Sequence, residues 1–155
     1  MANYASYRSS IDGLVTDVHT TKKATLGERF RDEAGKEYIY LAGASSTAAG
    51  VWVTYDENFA TTLLAANAVG PVAIALGAVN TTSKYGWYQI FGVNTVASTD
   101  TVAADKALYI DGTAGRADDA VVTGDLIVGA CSSTADTSNV TTVTLSYPFV
   151  TDVLG

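Results

Sequence analysis

The stretch Lys84-Tyr85-Gly86-Trp87-Tyr88-Gln89-Ile90-Phe91-Gly92 is the densest run of large aromatic side chains in the chain, and it narrows the available folds more than any other segment. Aromatic and β-branched residues suit a pleated, half-buried surface, and Gly86 and Gly92 mark a turn or a close backbone approach. Strand side chains alternate, so Tyr85, Trp87, Gln89 and Phe91 fall on one face and Gly86, Tyr88 and Ile90 on the other. Aromatic area on both faces predicts a central strand covered from two sides. Tyr85 and Tyr88 are also candidates for an inter-subunit surface, where tyrosine is enriched.

The rest of the chain carries the same preference for sheet. Apolar residues make up 48% of it, while helix-favouring Glu, Lys, Arg, Gln and Met are scarce beside Val, Thr and Gly. With 155 residues and no long polar linker, the chain predicts one all-β domain, a β-sandwich or barrel over residues 11–155, preceded by an extended N-terminal arm at 1–10. A first strand is expected at 11–18, and a hairpin at 26–41 turning at Asp32-Glu33-Ala34-Gly35, where Gly35 supplies a positive φ. In the second arm Tyr38 and Tyr40 share one face, Ile39 and Leu41 the other. Further strands are expected at 51–55, 71–79, 107–110, 120–122, 125–129 and 140–145, with a short helix or compact loop at 61–69. No period of 20–50 residues recurs, which excludes a solenoid or propeller.

Charge is unevenly placed. The net charge is −7, yet residues 1–37 are neutral, with six cations against six acids. The remainder sets only Lys84, Lys106 and Arg116 against ten acids and carries the whole excess. An acidic body repels phosphate backbones, so nucleic acid is not expected as a partner. The neutral leading segment is better suited to contact another protein. The single cysteine, Cys131, permits no intrachain disulfide, and its flank Leu126-Ile127-Val128-Gly129-Ala130 predicts a buried, inert thiol. Residues 1–20 lack the apolar core of a secretory signal, so synthesis in a cytoplasm is expected. The longest apolar run, 71–79, is about half of the roughly 20 residues that a membrane helix needs, so no membrane partner is expected.

The search for chemistry is mostly negative. His19 is the only histidine and sits in the polar run Thr16-Asp17-Val18-His19-Thr20-Thr21, which predicts a solvated or interface side chain rather than a general base. One Cys and one His do not furnish a zinc site, and Gly27 and Gly35 are isolated rather than part of a phosphate loop. Asp111-Gly112-Thr113-Ala114-Gly115 lacks the ordered acids of an EF-hand. The acid pairs Asp56-Glu57 and Asp118-Asp119 border turns, where solvated carboxylates are ordinary. No cofactor is expected, and an enzyme is not.

Several segments taken together resemble a known family. These are Gly35-Lys36-Glu37-Tyr38-Ile39-Tyr40-Leu41, Val51-Trp52-Val53-Thr54-Tyr55-Asp56-Glu57, Thr62-Leu63-Leu64-Ala65-Ala66-Asn67 and Gly70-Pro71-Val72-Ala73, followed by Tyr85-Gly86-Trp87-Tyr88-Gln89-Ile90-Phe91-Gly92. Later come Ala107-Leu108-Tyr109-Ile110, Gly112-Thr113-Ala114-Gly115, Asp118-Asp119-Ala120-Val121-Val122, Gly124-Asp125 and the closing Tyr147-Pro148-Phe149-Val150. In this order they resemble the small head-decoration, or capsid cement, proteins of tailed bacteriophages. The resemblance implies a non-enzymatic β protein on the outside of a virion. It implies the major capsid protein as partner and often a homo-oligomer. It carries no catalytic motif.

Two other classes compete with that expectation: a carbohydrate-binding module on a virion, with Trp52, Trp87 or an exposed Tyr stacking on a sugar, and a hydrolase using the acid pairs. Apolar area on both strand faces suggests a closed ring, a trimer before a dimer. The candidate capsid or subunit interface comprises Tyr4 and Tyr7 in the arm, Arg29 and Arg31 on one side of the first hairpin, and Tyr85 and Tyr88. The leading segment is expected to face the shell, because burying the unpaired carboxylates of the body would cost more.

Overall fold

The structure, a computed structural model, describes residues 7–152, with Tyr7 described by its backbone alone. Twelve strands and no helix occur among the described residues, so no helix there is long and apolar enough to cross a membrane. The protein is an all-β single domain, built on one continuous sheet that folds back on itself.

The predicted hairpin is present. Strand β1 (Tyr7–Arg8) lies parallel to β3 (Arg29–Arg31), which pairs antiparallel with β4 (Glu37–Ala42). At the turn Gly35 has φ of 82°, and Asp32 fixes the geometry by accepting from the Lys36 amide at 2.9 Å and from the Tyr38 hydroxyl at 2.8 Å. The two-residue β2 (Val18–His19) pairs with the start of the aromatic strand β8 (Tyr85–Ser98), and β4 lies along the same strand. Strand β5 (Trp52–Tyr55) runs between β6 (Thr61–Leu63) and β7 (Val69–Ala75). The C-terminal part contributes β9 (Ala107–Ile110), β10 (Ala117–Asp118), β11 (Leu126–Ser132) and β12 (Val140–Thr151).

Alternation along the central strands sorts the core into three layers. Tyr38 and Tyr40 of β4 meet Trp87 of β8 in an aromatic layer, with Phe30 packed on it. The opposite faces of the same strands send Ile39, Leu41, Tyr88 and Ile90 into a middle layer with Val53, Ala73 and Ala75. Strands β5 and β7 close that layer and project Trp52, Val72 and Ile74 beyond it, onto Leu108, Ile127, Val143 and Leu145. Strands β4, β5, β7 and β8 are therefore each buried on two faces, which is why their sequences carry large residues at consecutive positions.

Two long strands tie the layers together by changing partners part-way. Before Gly92, β8 pairs with β4 and β7; from Phe91 onward it pairs with β12. Gly92 has φ of 91°, and a Cβ there would lie 3.1 to 3.4 Å from Lys36 atoms, so the bend needs glycine. Strand β12 leaves β8 at Ser146 and joins β7 at Phe149, passing through Tyr147 at φ of 48° and Pro148. Strands β7, β8 and β12 thus pair with one another in all three combinations.

Four expectations are corrected. The strand expected at 120–122 is loop between β10 and β11. Residues 11–17 form turns, with the Leu14 amide donating to Asp17 Oδ2 at 2.8 Å, and only Val18–His19 are strand. The segment 61–69 holds no helix: Thr61–Leu63 pair with β5, so inter-strand bonding overrides the helix propensity of the Leu-Leu-Ala-Ala run. Cys131 is exposed rather than buried.

Candidate docking surfaces

The first hairpin and the loop before it build a leading face that carries both signs of charge. Arg8, Lys22, Lys23, Thr25, Leu26 and Glu28 line a hollow of about 560 Å³. Arg8 Nε lies 3.1 Å from Glu28 Oε1, and the other oxygen of Glu28 accepts from the Thr25 amide at 3.0 Å, so this carboxylate holds both the loop and the arginine. Lys23 Nζ lies 3.7 Å from Asp12, and Lys22 Nζ sits 5.3 Å above the Tyr85 ring. Both lysines are exposed. Beneath them Tyr40 ties the loop to the core: its hydroxyl accepts from the Lys23 amide at 3.2 Å and is 2.8 Å from His19 Nδ1.

The expected interface residues divide by location. Tyr4 lies outside the described residues, as does most of the arm. Tyr7 opposes Arg29, so the end of the arm adds to this chain's own sheet edge. Tyr85 is half-buried under Lys22. Tyr88 is 0% exposed in the middle layer, where burial pushes its hydroxyl pKa up to about 12, and its assignment to a surface is corrected accordingly. A strand apolar on both faces does not reveal which tyrosine is enclosed.

Arg29 and Arg31 do share one side of β3, and that side meets β8 and β12. Arg31 lies 5.6 Å above the Phe91 ring, and Arg29 lies 5.9 Å above Tyr147. Arg29 also contacts Glu37 at 3.3 Å, and Glu37, 1% exposed, accepts from the Tyr147 hydroxyl at 2.7 Å. Tyr147 reaches it from 110 residues away, in a left-handed conformation that disfavours a bulky side chain. Arg29 therefore fastens the first hairpin to β12, and Arg31 packs it on β8.

Three of the four carboxylates in the acid pairs accept backbone amides. Asp56 Oδ1 accepts from the amides of Asn58 and Ala60 at 2.9 and 3.0 Å. Asp118 accepts from the Ala120 amide at 3.2 Å, and Asp119 from the Ala103 amide at 2.9 Å. Partial burial, then the charge of Asp111, pushes the Asp118 carboxyl above its ordinary range. No group of three His, Cys, Asp or Glu side chains suited to a metal occurs among the described residues. Both tryptophans are buried, Trp52 at 0% and Trp87 at 2% exposure, and so present no ring to a sugar.

One surface escaped the sequence reading. On the outward side of the C-terminal sheet, Leu126 opposes Tyr109, Val128 opposes Phe149, and Phe149 opposes Pro71. Val128 is 53% exposed and Phe149 39%. The signal was present as the i, i+2 pair Leu126/Val128, but the intervening Ile127 made that strand read as core, and Phe149 lies beyond the last strand expected, 140–145. No family model, curated protein or solved structure matches this chain.

Proposed function

We propose that the protein is a virion structural protein that binds the outer surface of an assembled phage capsid and stabilises it. The observation that supports this reading best is the segregation of charge. Arg8, Lys22 and Lys23 gather around one hollow on the leading face, while residues beyond 37 carry the whole excess of −7. The cations of this neutral, mixed-sign face pair with carboxylates of the major capsid protein, and the acidic body remains in water, where its carboxylates keep their hydration. The rest of the architecture suits attachment rather than turnover. Its acids brace turns, its histidine braces a loop, and its aromatic residues fill three core layers.

Co-sedimentation of the purified chain with undecorated heads of the phage that carries its gene tests the proposal. Saturable binding is expected, and the variant Lys22→Glu/Lys23→Glu should lower the affinity at least tenfold while the far-ultraviolet circular dichroism is unchanged. Absence of the chain from the sedimented heads at saturating concentration would refute the function. Binding indifferent to the double variant would refute the orientation.

A further inference from the structure

The outward face of β9, β11, β12 and β7 is an apolar stripe with Asp118 at one end and Arg31 beside the other. In register order, Asp118 opposes Tyr109, Tyr109 opposes Leu126, and two residues along β11 Val128 opposes Phe149, which opposes Pro71. Register-opposite residues share a face, so these side chains form one continuous surface. The loop before β11 adds Val121 and Val122, 79% and 42% exposed, and together they border a hollow of about 360 Å³. The exposed apolar area is on the order of 500 Å², given the fractional exposures and the area of each side chain. That is as large as the largest patch of an ordinary monomer. With its polar rim it approaches the roughly 800 Å² that each partner contributes to a stable pair.

The two ends decide what covers the stripe. At one end lies Asp118, with the exposed Asp152 against Gly124 of the hollow. At the other, Phe149 and Tyr147 border a small cleft, Tyr147 packs on Phe91 at 5.2 Å, and the exposed Arg31 lies over that Phe91 ring, while the exposed Asp56 and Glu57 flank Pro71 at the far margin. A two-fold rotation would bring Asp118 of one copy toward Arg31 of another, twice, with the apolar centre facing itself. Self-complementarity of this kind is the requirement for an isologous interface. A chain with a net charge of −7 repels its own copies over most of its surface, whereas this stripe offers both attraction and a desolvated centre.

We propose that this stripe is where two copies of the chain pair about a two-fold axis, with Leu126, Val128 and Phe149 at the centre and Arg31 facing the partner's acidic end. The pairing uses none of Arg8, Lys22 and Lys23. It belongs to the free chain, and its test involves no capsid.

Analytical ultracentrifugation of the full chain at micromolar concentrations should give a species of about twice 16.1 kDa. Val128→Glu and, separately, Leu126→Glu should each give a monomer with unchanged circular dichroism, because both side chains point outward. Arg31→Glu and Asp118→Lys should each weaken the dimer about tenfold or more, and an equimolar mixture of these two variants should restore it, since each mismatch then meets its complement. A monomeric wild-type chain, a trimer, or a dimer that survives both Val128→Glu and Leu126→Glu would overturn the proposal. So would a mixture of the two charge variants that pairs no better than either alone.

Discussion

Replacing Tyr147 by Phe removes one oxygen and leaves the ring on Phe91 and under Arg29. The lost bond is short, 2.7 Å, and its acceptor Glu37 is 1% exposed. A hydrogen bond to a charged acceptor contributes about 1.5–3 kcal/mol. Tyr147 is itself 47% exposed, so water competes for its hydroxyl and the lower end applies, about 1.5 kcal/mol. For a domain of this size that lowers the midpoint of thermal unfolding by about 3–6 °C. Urea unfolding followed by the fluorescence of the buried Trp52 and Trp87 measures it directly, and an unchanged slope would confirm that stability alone has moved. A double-mutant cycle with Glu37→Gln should then return a coupling of at least about 0.5 kcal/mol. A loss below about 0.5 kcal/mol, with no coupling to Glu37, would refute the view that this contact fastens the last strand to the first hairpin.

Other parts of the account are open to equally direct checks. Gly35→Ala should cost about 1–2 kcal/mol, the left-handed penalty alone, because nothing lies within 4 Å of a Cβ there. Gly129→Ala should cost distinctly more in the same unfolding assay, because its Cβ would also meet the Ser146 carbonyl oxygen at 2.5 Å. Trp87→Ala should destabilise by about 3–5 kcal/mol, since the ring is 2% exposed and packs 5.0 Å from Tyr40. Burial raises the pKa of Tyr38, Tyr40, Tyr55 and Tyr88 above the ordinary 10.0. The folded state therefore disfavours tyrosinate: its stability is fully present below pH 10 and is lost as pH rises through and beyond that value. Tyrosinate absorbance from these residues should appear together with unfolding, and its appearance in a protein that keeps its native circular dichroism would contradict their burial.

The features legible in the sequence were those that a period of two governs. Alternation alone placed Tyr38 and Tyr40 opposite Ile39 and Leu41, and Trp87 opposite Tyr88, and the three core layers preserve that division. The turn at Gly35 was legible because its positive φ has a residue signature. Cys131 shows where the logic broke. Ile127 points inward, and strict alternation would bring Cys131 inward too, but the register shifts between Val128 and Ala130 at Gly129, with φ of 80°. Between the pairs Val128–Phe149 and Ala130–Leu145, β11 advances two residues and β12 four, and the faces exchange across this irregularity, so Ser132 is buried and Cys131 exposed. Arg29 and Arg31 were placed correctly on one side of β3, yet their neighbours come from β8 and β12, and no local pattern announces a contact across 110 residues. The apolar stripe was hidden for a related reason. A strand with Leu126, Ile127 and Val128 in succession reads as buried on both faces, and only the tertiary arrangement leaves one of them uncovered.

The central claim, attachment to a capsid through the leading face, is tested most directly by a cryo-electron microscopy map of decorated heads that resolves side chains at the contact. The account predicts density for the chain on the outer shell, with Arg8, Lys22 and Lys23 against capsid carboxylates and the acidic body facing solvent. A map in which Asp105, Asp111, Asp118 and Asp119 make the contact, with residues 7–37 turned outward, would contradict it.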